Sequence, residues 1–271
     1  MREFGFGFGN LQLNFQIARR KGGGNDFEPA GPTWQGAVRA SAGYAAAEIF
    51  EKAISAARQV RDGKAAFERD TVLFQQPEYS HQMLAWMLLA RLRLGKLSVL
   101  DFGGGFGSRY FQHKSVLQEL GLLRWAVVEQ DNIVDAGQAE FITDELKFFR
   151  TIEEAEGGVT PNFLMMSGVL QYLERPYAML EILLARGYPH FLLDRTMARS
   201  GVSDELFIQH VPLAIYQGSY PVWFLDARRV EQLVQSYGYR LVERVDPHPG
   251  STFGLQHKRW PYVSWYFERD K

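Results

Sequence analysis

The chain has 271 residues, 46% of them hydrophobic, enough to pack one large domain or a catalytic domain carrying a smaller N-terminal piece. Its 30 Lys and Arg against 31 Asp and Glu leave a net charge of -1, without the concentrated basic surface that a phosphate backbone requires, so nucleic acid is not an expected partner. The absence of cysteine excludes a disulfide framework, a thiolate nucleophile and any Cys-ligated zinc or iron–sulfur centre.

The opening residues, MREFGFGFGN, hold no apolar stretch of the length a secretory signal needs, and no later run is long enough to span a bilayer. A cytoplasmic location without membrane attachment is the default expectation. Residues 1–36, with KGGGND at 21–26 and EPAGPTW at 28–34, read as a loop or partly ordered arm in which Phe4, Phe6 and Phe8 offer docking groups. From Ala37 to Asp62 the spacing predicts a helix with Ile49, Phe50, Ala53, Ile54, Ala57 and Val60 on one face, ended by Gly63. After FERDTVLF a second helix is predicted from about Ser80 to Leu94, stopping at Gly95. Residues 1–95 are thus expected to form an N-terminal arm and helical extension.

From Lys96 short apolar runs alternate with helical segments, the order of a parallel sheet with crossover helices over 96–271. Seven strands are predicted, at 97–102, 124–130, 146–149, 163–167, 190–195, 239–244 and 262–268. Helices fit around 109–120, 133–140, 176–186 and 226–237.

The segment VLDFGGGFGSRYF at 99–111 runs from an apolar strand through Asp101 and glycines 103, 105 and 107 into a helix start. Bare glycines at such a turn let backbone N–H groups approach a ligand closely. A dinucleotide fingerprint places its third glycine where Ser108 stands, which favours a donor without a pyrophosphate. The next strand ends in Glu129, 22 residues beyond Gly107, where an acid accepts hydrogen bonds from both ribose hydroxyls. S-adenosylmethionine, which carries an ammonium and a sulfonium, suits Asp101; a pyrophosphate would be repelled by it.

On these residues a resemblance enters. VLDFGGGFGSRYFQ, WAVVEQ with the following Gly137, SGVLQYLERP and IYQGSYPVWF, together with FERDTVLF and the GY pair at 43–44, resemble an uncharacterised bacterial family of S-adenosylmethionine-dependent methyltransferases, over nearly the whole chain from about Thr33. The resemblance implies a Rossmann-like class I methyltransferase fold, an α/β sheet of seven mostly parallel strands with the last antiparallel, and names no acceptor. It implies that Asp101, Gly103, Gly105 and Gly107 form the first cofactor motif, that Glu129 binds ribose with Gln130 beside the adenine, and that Ser167, Gly168 and Gln171 match the motif after the fourth strand. The third strand, LKFF, offers only Phe148 or Phe149 for adenine stacking.

Methyl transfer is an in-line displacement that asks the protein to align donor and acceptor and to exclude water, with no metal required. For a hydroxyl acceptor, a base near the methyl group is useful, and His210, Asp194, Tyr172 and His113 are candidates. His210, in the insertion after the fifth strand, is the first of these candidates, with a surface or core-satisfied histidine as the alternative reading; Asp194 ends that strand, with a structural ion pair to Arg195 or Arg199 as its alternative. Tyr110 and Tyr172 are aromatic candidates for shielding the sulfonium. The resemblance implies that Tyr216, Ser219 and Tyr220 are acceptor-pocket residues, Tyr172 being a further candidate, and Glu68, Arg69 and Asp70 are read either as closing over the methionine carboxylate through Arg69 or as a solvated charge run before a helix. His248 and His257 lack the partners a metal site needs. The expected partner is a small-molecule or glycan acceptor, a homodimer being compatible. A nicotinamide-dependent oxidoreductase and a non-catalytic binding module on the same fold are the competing readings.

Overall fold

Strands buried on both faces carry near-continuous apolar runs, and the residues at 99–100, 125–128, 163–166 and 191–193 meet that condition. A computed structural model describes residues 26–41, 47–119, 121, 123–211, 218–245, 252–255 and 258–270. In chain order the elements are β1 (Asp26–Pro29), α1 (Trp34–Ala40), α2 (Ala47–Arg61), β2 (Phe67–Arg69), β3 (Val72–Phe74), α3 (His81–Leu94), β4 (Leu97–Phe102), α4 (Ser108–Gln118), β5 (Leu123–Val128), α5 (Asp131–Glu140), β6 (Leu146–Phe149), α6 (Ile152–Val159), β7 (Phe163–Ser167) and a 3-10 turn (Leu170–Tyr172). They continue with α7 (Pro176–Leu184), β8 (His190–Arg199), β9 (Glu205–His210), β10 (Ser219–Asp226), α8 (Ala227–Ser236), β11 (Tyr239–Val245), β12 (Thr252–Leu255) and β13 (Lys258–Arg269).

The central sheet runs β6-β5-β4-β7-β8-β13-β11, parallel as far as β8, with β13 antiparallel to both β8 and β11. This is the mostly parallel, Rossmann-like α/β sheet with an antiparallel last strand that the sequence predicts. Alternation along each strand divides the core between two faces. Val99, Trp125, Val127 and Met165 face Ile54 of α2 and Met87 of α3, whereas Leu100, Ala126, Leu164 and Met166 face Leu180 of α7 and Val230 of α8.

Three departures shape the site. The single helix expected over 37–62 does not form, because Ser41 takes an extended backbone (φ -114°, ψ 159°) that caps α1. FERDTVLF folds as the β2–β3 hairpin, with Asp70 and Thr71 both at positive φ in its tip. Where an acceptor loop was expected, β8 runs on to Arg199 and pairs with β10 at Leu225 and Ala198, while β10, β9 and β1 add an antiparallel sheet beyond the parallel one. Helix α6 is a further element the sequence does not announce, being short and carrying Gly157 and Gly158; the Thr151 side chain caps it by accepting from the Glu154 N–H at 3.1 Å. Among the described residues no helix is long and apolar enough to cross a membrane.

Candidate functional site

The turn after β4 gathers glycines for distinct reasons. Gly103, Gly105 and Gly107 all have positive φ, 74°, 56° and 82°. A Cβ on Gly103 would lie 2.4 Å from Val169 Cγ2, and one on Gly104 2.4 Å from Asp101 Oδ2, so the chain passes too close for side chains there. Gly105 differs: its absent Cβ would meet nothing within 4 Å, because it faces an open cavity. Gly107 caps α4, with Leu146 Cδ2 3.1 Å from where its Cβ would stand.

Asp101 and Glu129 occupy neighbouring strand ends beside this turn. Asp101 is fully buried; the Nε1–H of Trp125 donates to its Oδ2 at 3.0 Å, and its Oδ1 has no hydrogen-bond partner among the described residues. Burial pushes its carboxyl up to about 7, opposed by Trp125 and Arg109 and reinforced by Glu129. Glu129 accepts the Gly105 N–H on Oε1 at 3.2 Å and the Gln130 N–H on Oε2 at 2.9 Å, so one carboxylate ties the turn to the next strand. Burial raises its pKa against those two backbone hydrogen bonds.

The cavity has a volume of about 270 Å³. Asp101, Gly103, Gly105, Glu129 and Gln130 line it, with Asn132 and Ile133 of α5. Ser167, Gly168, Gln171, Tyr172 and Tyr220 line it too, so these expected site residues converge on one space. Glu68, Arg69 and Asp70 of the hairpin line it as well. Glu68 accepts from the Ser108 hydroxyl and, at 3.1 Å, from the Thr71 N–H; burial nonetheless raises its pKa.

Other candidates lie elsewhere. Tyr110 is 1% exposed and donates to Glu145 Oε2 at 2.9 Å while packing edge-on against Trp125, so it belongs to the core and not to the cavity lining. Asp194 sits behind the wall: it accepts from the Ser167 hydroxyl at 2.6 Å and the Ser264 hydroxyl at 2.7 Å and pairs with Arg109 at 3.3 Å. Burial alone would raise its pKa, but Arg109 and the two hydroxyls outweigh it and hold the carboxylate below its ordinary range. A carboxylate so fully occupied orients Arg109 and Ser167 and is a poor base. His210 alternates out of the lining, since Gln209 and Val211 face the cavity and its own Nε2 lies 3.2 Å from Glu28 Oε2.

His113 is buried with its Nε2 accepting the Ser80 N–H at 3.1 Å and its Nδ1 facing the Arg109 carbonyl at 2.9 Å; burial pushes it down to about 4. Ser219 is opposite His210 in the β9–β10 ladder and does not line the cavity. Phe148 and Phe149 pack over Gly137 and Gly158, where a Cβ would lie 2.6 Å from either ring, and leave the expected adenine stacking without a group. Tyr216, His248 and His257 fall outside the described residues.

The sequence reading missed Arg109 as a site residue and noted Arg195 only as a partner for Asp194. Arg109 follows the glycine turn in α4; its guanidinium donates to Ser167 at 3.0 and 3.1 Å and to Gln112 at 2.8 Å. Arg195 takes a left-handed φ of 49° inside β8, where its guanidinium lies 5.4 Å from the Tyr262 ring centroid. The usable signal was the position of each: an Arg in a first helical turn, where the dipole disfavours it, and an Arg immediately beyond a strand-end acid.

No protein-family model matches the chain, and no curated protein matches it. Among solved structures it is similar to the Burkholderia thailandensis 1,6-didemethyltoxoflavin-N1-methyltransferase holding its substrate and S-adenosylhomocysteine, at 16% identity and TM-score 0.44 over 90% of this chain and 100% of that one. It is also similar to the N-terminal domain of EvdMO1 with S-adenosylhomocysteine and D-fucose, at 14% identity and TM-score 0.48 over 79% and 95% of the two chains. A third is the glycopeptide N-methyltransferase MtfA with S-adenosylmethionine, at 16% identity and TM-score 0.42 over 68% and 87%.

Proposed function

We propose that the chain is an S-adenosylmethionine-dependent methyltransferase acting on a hydroxyl of a small molecule. The observation that carries this reading is a buried acid with an unpartnered oxygen, Asp101 Oδ1, next to a glycine that opens onto a cavity and a second acid, Glu129, on the adjoining strand end. A ligand with an ammonium at one point and a sugar diol at another satisfies both acids. Asp101 would hold the ammonium, Glu129 the ribose hydroxyls, Gln130, Asn132 and Ile133 the base, and Arg69, with a buried Nε unpartnered among the described residues, the carboxylate. The donor supplies a methyl group on a sulfonium, ready for displacement. The protein's part is to align the acceptor oxygen and exclude water, and the tyrosines 172, 220 and 262 provide the walls for that. A pyrophosphate cofactor fits poorly, because Glu68, Asp101 and Glu129 crowd the turn with carboxylates.

Titration calorimetry with S-adenosylhomocysteine tests the proposal. The wild-type chain binds it and does not bind NADH. Glu129→Ala weakens binding by about tenfold or more, from the loss of charge-assisted hydrogen bonds of ~1.5–3 kcal/mol. Gly105→Val abolishes it by filling the cradle. Absence of heat and of any thermal shift with either S-adenosylmethionine or S-adenosylhomocysteine would defeat the reading.

A further inference from the structure

We propose that Arg195 recognises the acceptor, which is a small planar hydroxy acid, with its carboxylate on the Arg195 guanidinium and its hydroxyl donating to Gln171 Oε1. The inference rests on the methyltransferase reading above and deepens it by naming the acceptor's chemical class.

Three observations converge. Arg195 and Gln171 are built as one unit: the Gln171 Nε2 amide donates to the Arg195 carbonyl at 3.2 Å, and the Arg195 N–H donates to Ser264 Oγ at 3.3 Å. The Gln171–Arg195 bond fixes the amide so that Gln171 Oε1, in a side chain 1% exposed and lining the cavity, is buried without a partner among the described residues. An unpaired buried acceptor is costly, and an O–H or N–H donor removes the cost. The strained φ of 49° is the second: a non-glycine residue held left-handed in a strand aims its side chain where regular geometry would not, and such strain collects at ligand sites.

The third observation is charge. Among the cavity's guanidinium groups, Arg109 is occupied by Asp194, Ser167 and Gln112, and Arg69, whose Nε is buried without a partner among the described residues, is taken by the donor carboxylate in the reading above. Arg195 has a weaker hold: its ion pair at 3.2 Å is with Asp70, a hairpin-tip residue whose side chain is 67% exposed. An ion pair with one partner so exposed is weak, so a ligand carboxylate displaces Asp70 into water at small cost. One exchangeable guanidinium suits a monoanion, and its planar fork suits a carboxylate. Aromatic lining suits a flat acceptor with a ring face: Tyr172, Tyr220 and Tyr262 line the cavity, and the Tyr172 hydroxyl is anchored on Gln209 Oε1 at 3.1 Å.

The test is calorimetry and thermal shift on the full chain saturated with S-adenosylhomocysteine, using 3- and 4-hydroxybenzoate against 3- and 4-hydroxybenzamide. The wild type binds at least one acid more tightly than its matched amide, by about tenfold for one charge-assisted pair. Arg195→Gln loses that preference and keeps its affinity for S-adenosylhomocysteine. Asp70→Asn, whose new residue tolerates the left-handed turn, binds the acid more tightly because the competing carboxylate is gone. The proposal is overturned if neither acid is preferred by the wild type, if the preference survives Arg195→Gln, or if Arg195→Gln weakens S-adenosylhomocysteine itself about tenfold, which would give the guanidinium to the donor. Should Arg195→Gln not fold, unchanged or weaker acid binding by Asp70→Asn overturns it. A wild type that binds no S-adenosylhomocysteine defeats the methyltransferase reading instead.

Discussion

Asp101 meets two opposing demands. Its carboxyl is raised to about 7 by burial, so the free protein prefers it protonated near neutrality, while an ammonium ligand prefers it ionised. The linkage has a definite sign. A carboxyl whose folded pKa lies above its unfolded value contributes stability that is full below the unfolded pKa, near 3.8, and is lost as pH rises through about 7. Ligand binding runs the other way: S-adenosylhomocysteine affinity is expected to rise about tenfold between pH 6 and pH 8 and to level off above, as the ionised fraction does. Asp101→Asn flattens that profile. Calorimetric affinities that are level across this range in the wild type would remove Asp101 from the ammonium. This residue and Glu129 were legible in the sequence because a strand-end acid beside a glycine turn has a fixed place in a parallel sheet. Arg109 and Arg195 were not legible as site residues, since their roles depend on partners 58 to 125 positions away, in Ser167, Asp194 and Asp70.

The β2–β3 hairpin shows the same contrast for an element. FERDTVLF is too short and too charged to announce a hairpin, yet its two-residue tip has φ of 52° at Asp70 and 68° at Thr71, both positive as the tight turn of a twisted hairpin requires. Asp tolerates that region; a β-branched Thr does so at a cost of ~1–2 kcal/mol. The Thr71 N–H is the part that works, donating to Glu68 Oε2 at 3.1 Å, and glycine keeps it. Thr71→Gly is therefore expected to raise the unfolding free energy by about 1 kcal/mol, less the entropy glycine adds to the unfolded chain. Chemical denaturation decides it, and an unchanged or lowered midpoint would show that the tip is not strained. Strands β4 to β8 were readable because continuous apolar runs are what double burial demands. Strands β9 and β10 were not, because β9 pairs with β1, joining Phe27 to Gln209, and β10 pairs with β8, joining Leu225 to Ala198, and no local pattern encodes partners so far apart in sequence.

At the scale of the molecule, the helices before the sheet raise the question of whether they are an appendage. The division at residue 95 assumed a change of texture in the sequence, and the packing crosses it. Ile54 of α2 and Met83, Trp86 and Met87 of α3 lie in the same buried cluster as Val99, Trp125 and Val127 of the sheet. The Trp86 ring stacks at 5.4 Å on Tyr266 of β13, and its Nε1–H donates to Glu243 Oε2 at 2.9 Å. Arg58 adds a two-pronged pair with Glu140 of α5, at 2.6 and 2.8 Å, on the surface where such pairs contribute little. Shared burial of this kind couples α2 and α3 to the sheet more strongly than any surface pair. Ile54, 3% exposed, is the residue to truncate: Ile54→Ala removes buried methyl groups and leaves a cavity against the sheet, a loss of about 2–5 kcal/mol. With one cooperative unit, the far-ultraviolet helix signal and the near-ultraviolet signal of Trp125 and Trp265, both buried in the sheet, move together to lower denaturant. Two separated transitions, with the tryptophan signal unmoved, would make the helices a domain of their own and loosen the wall that Ile49, Phe50 and Ala53 give the cavity.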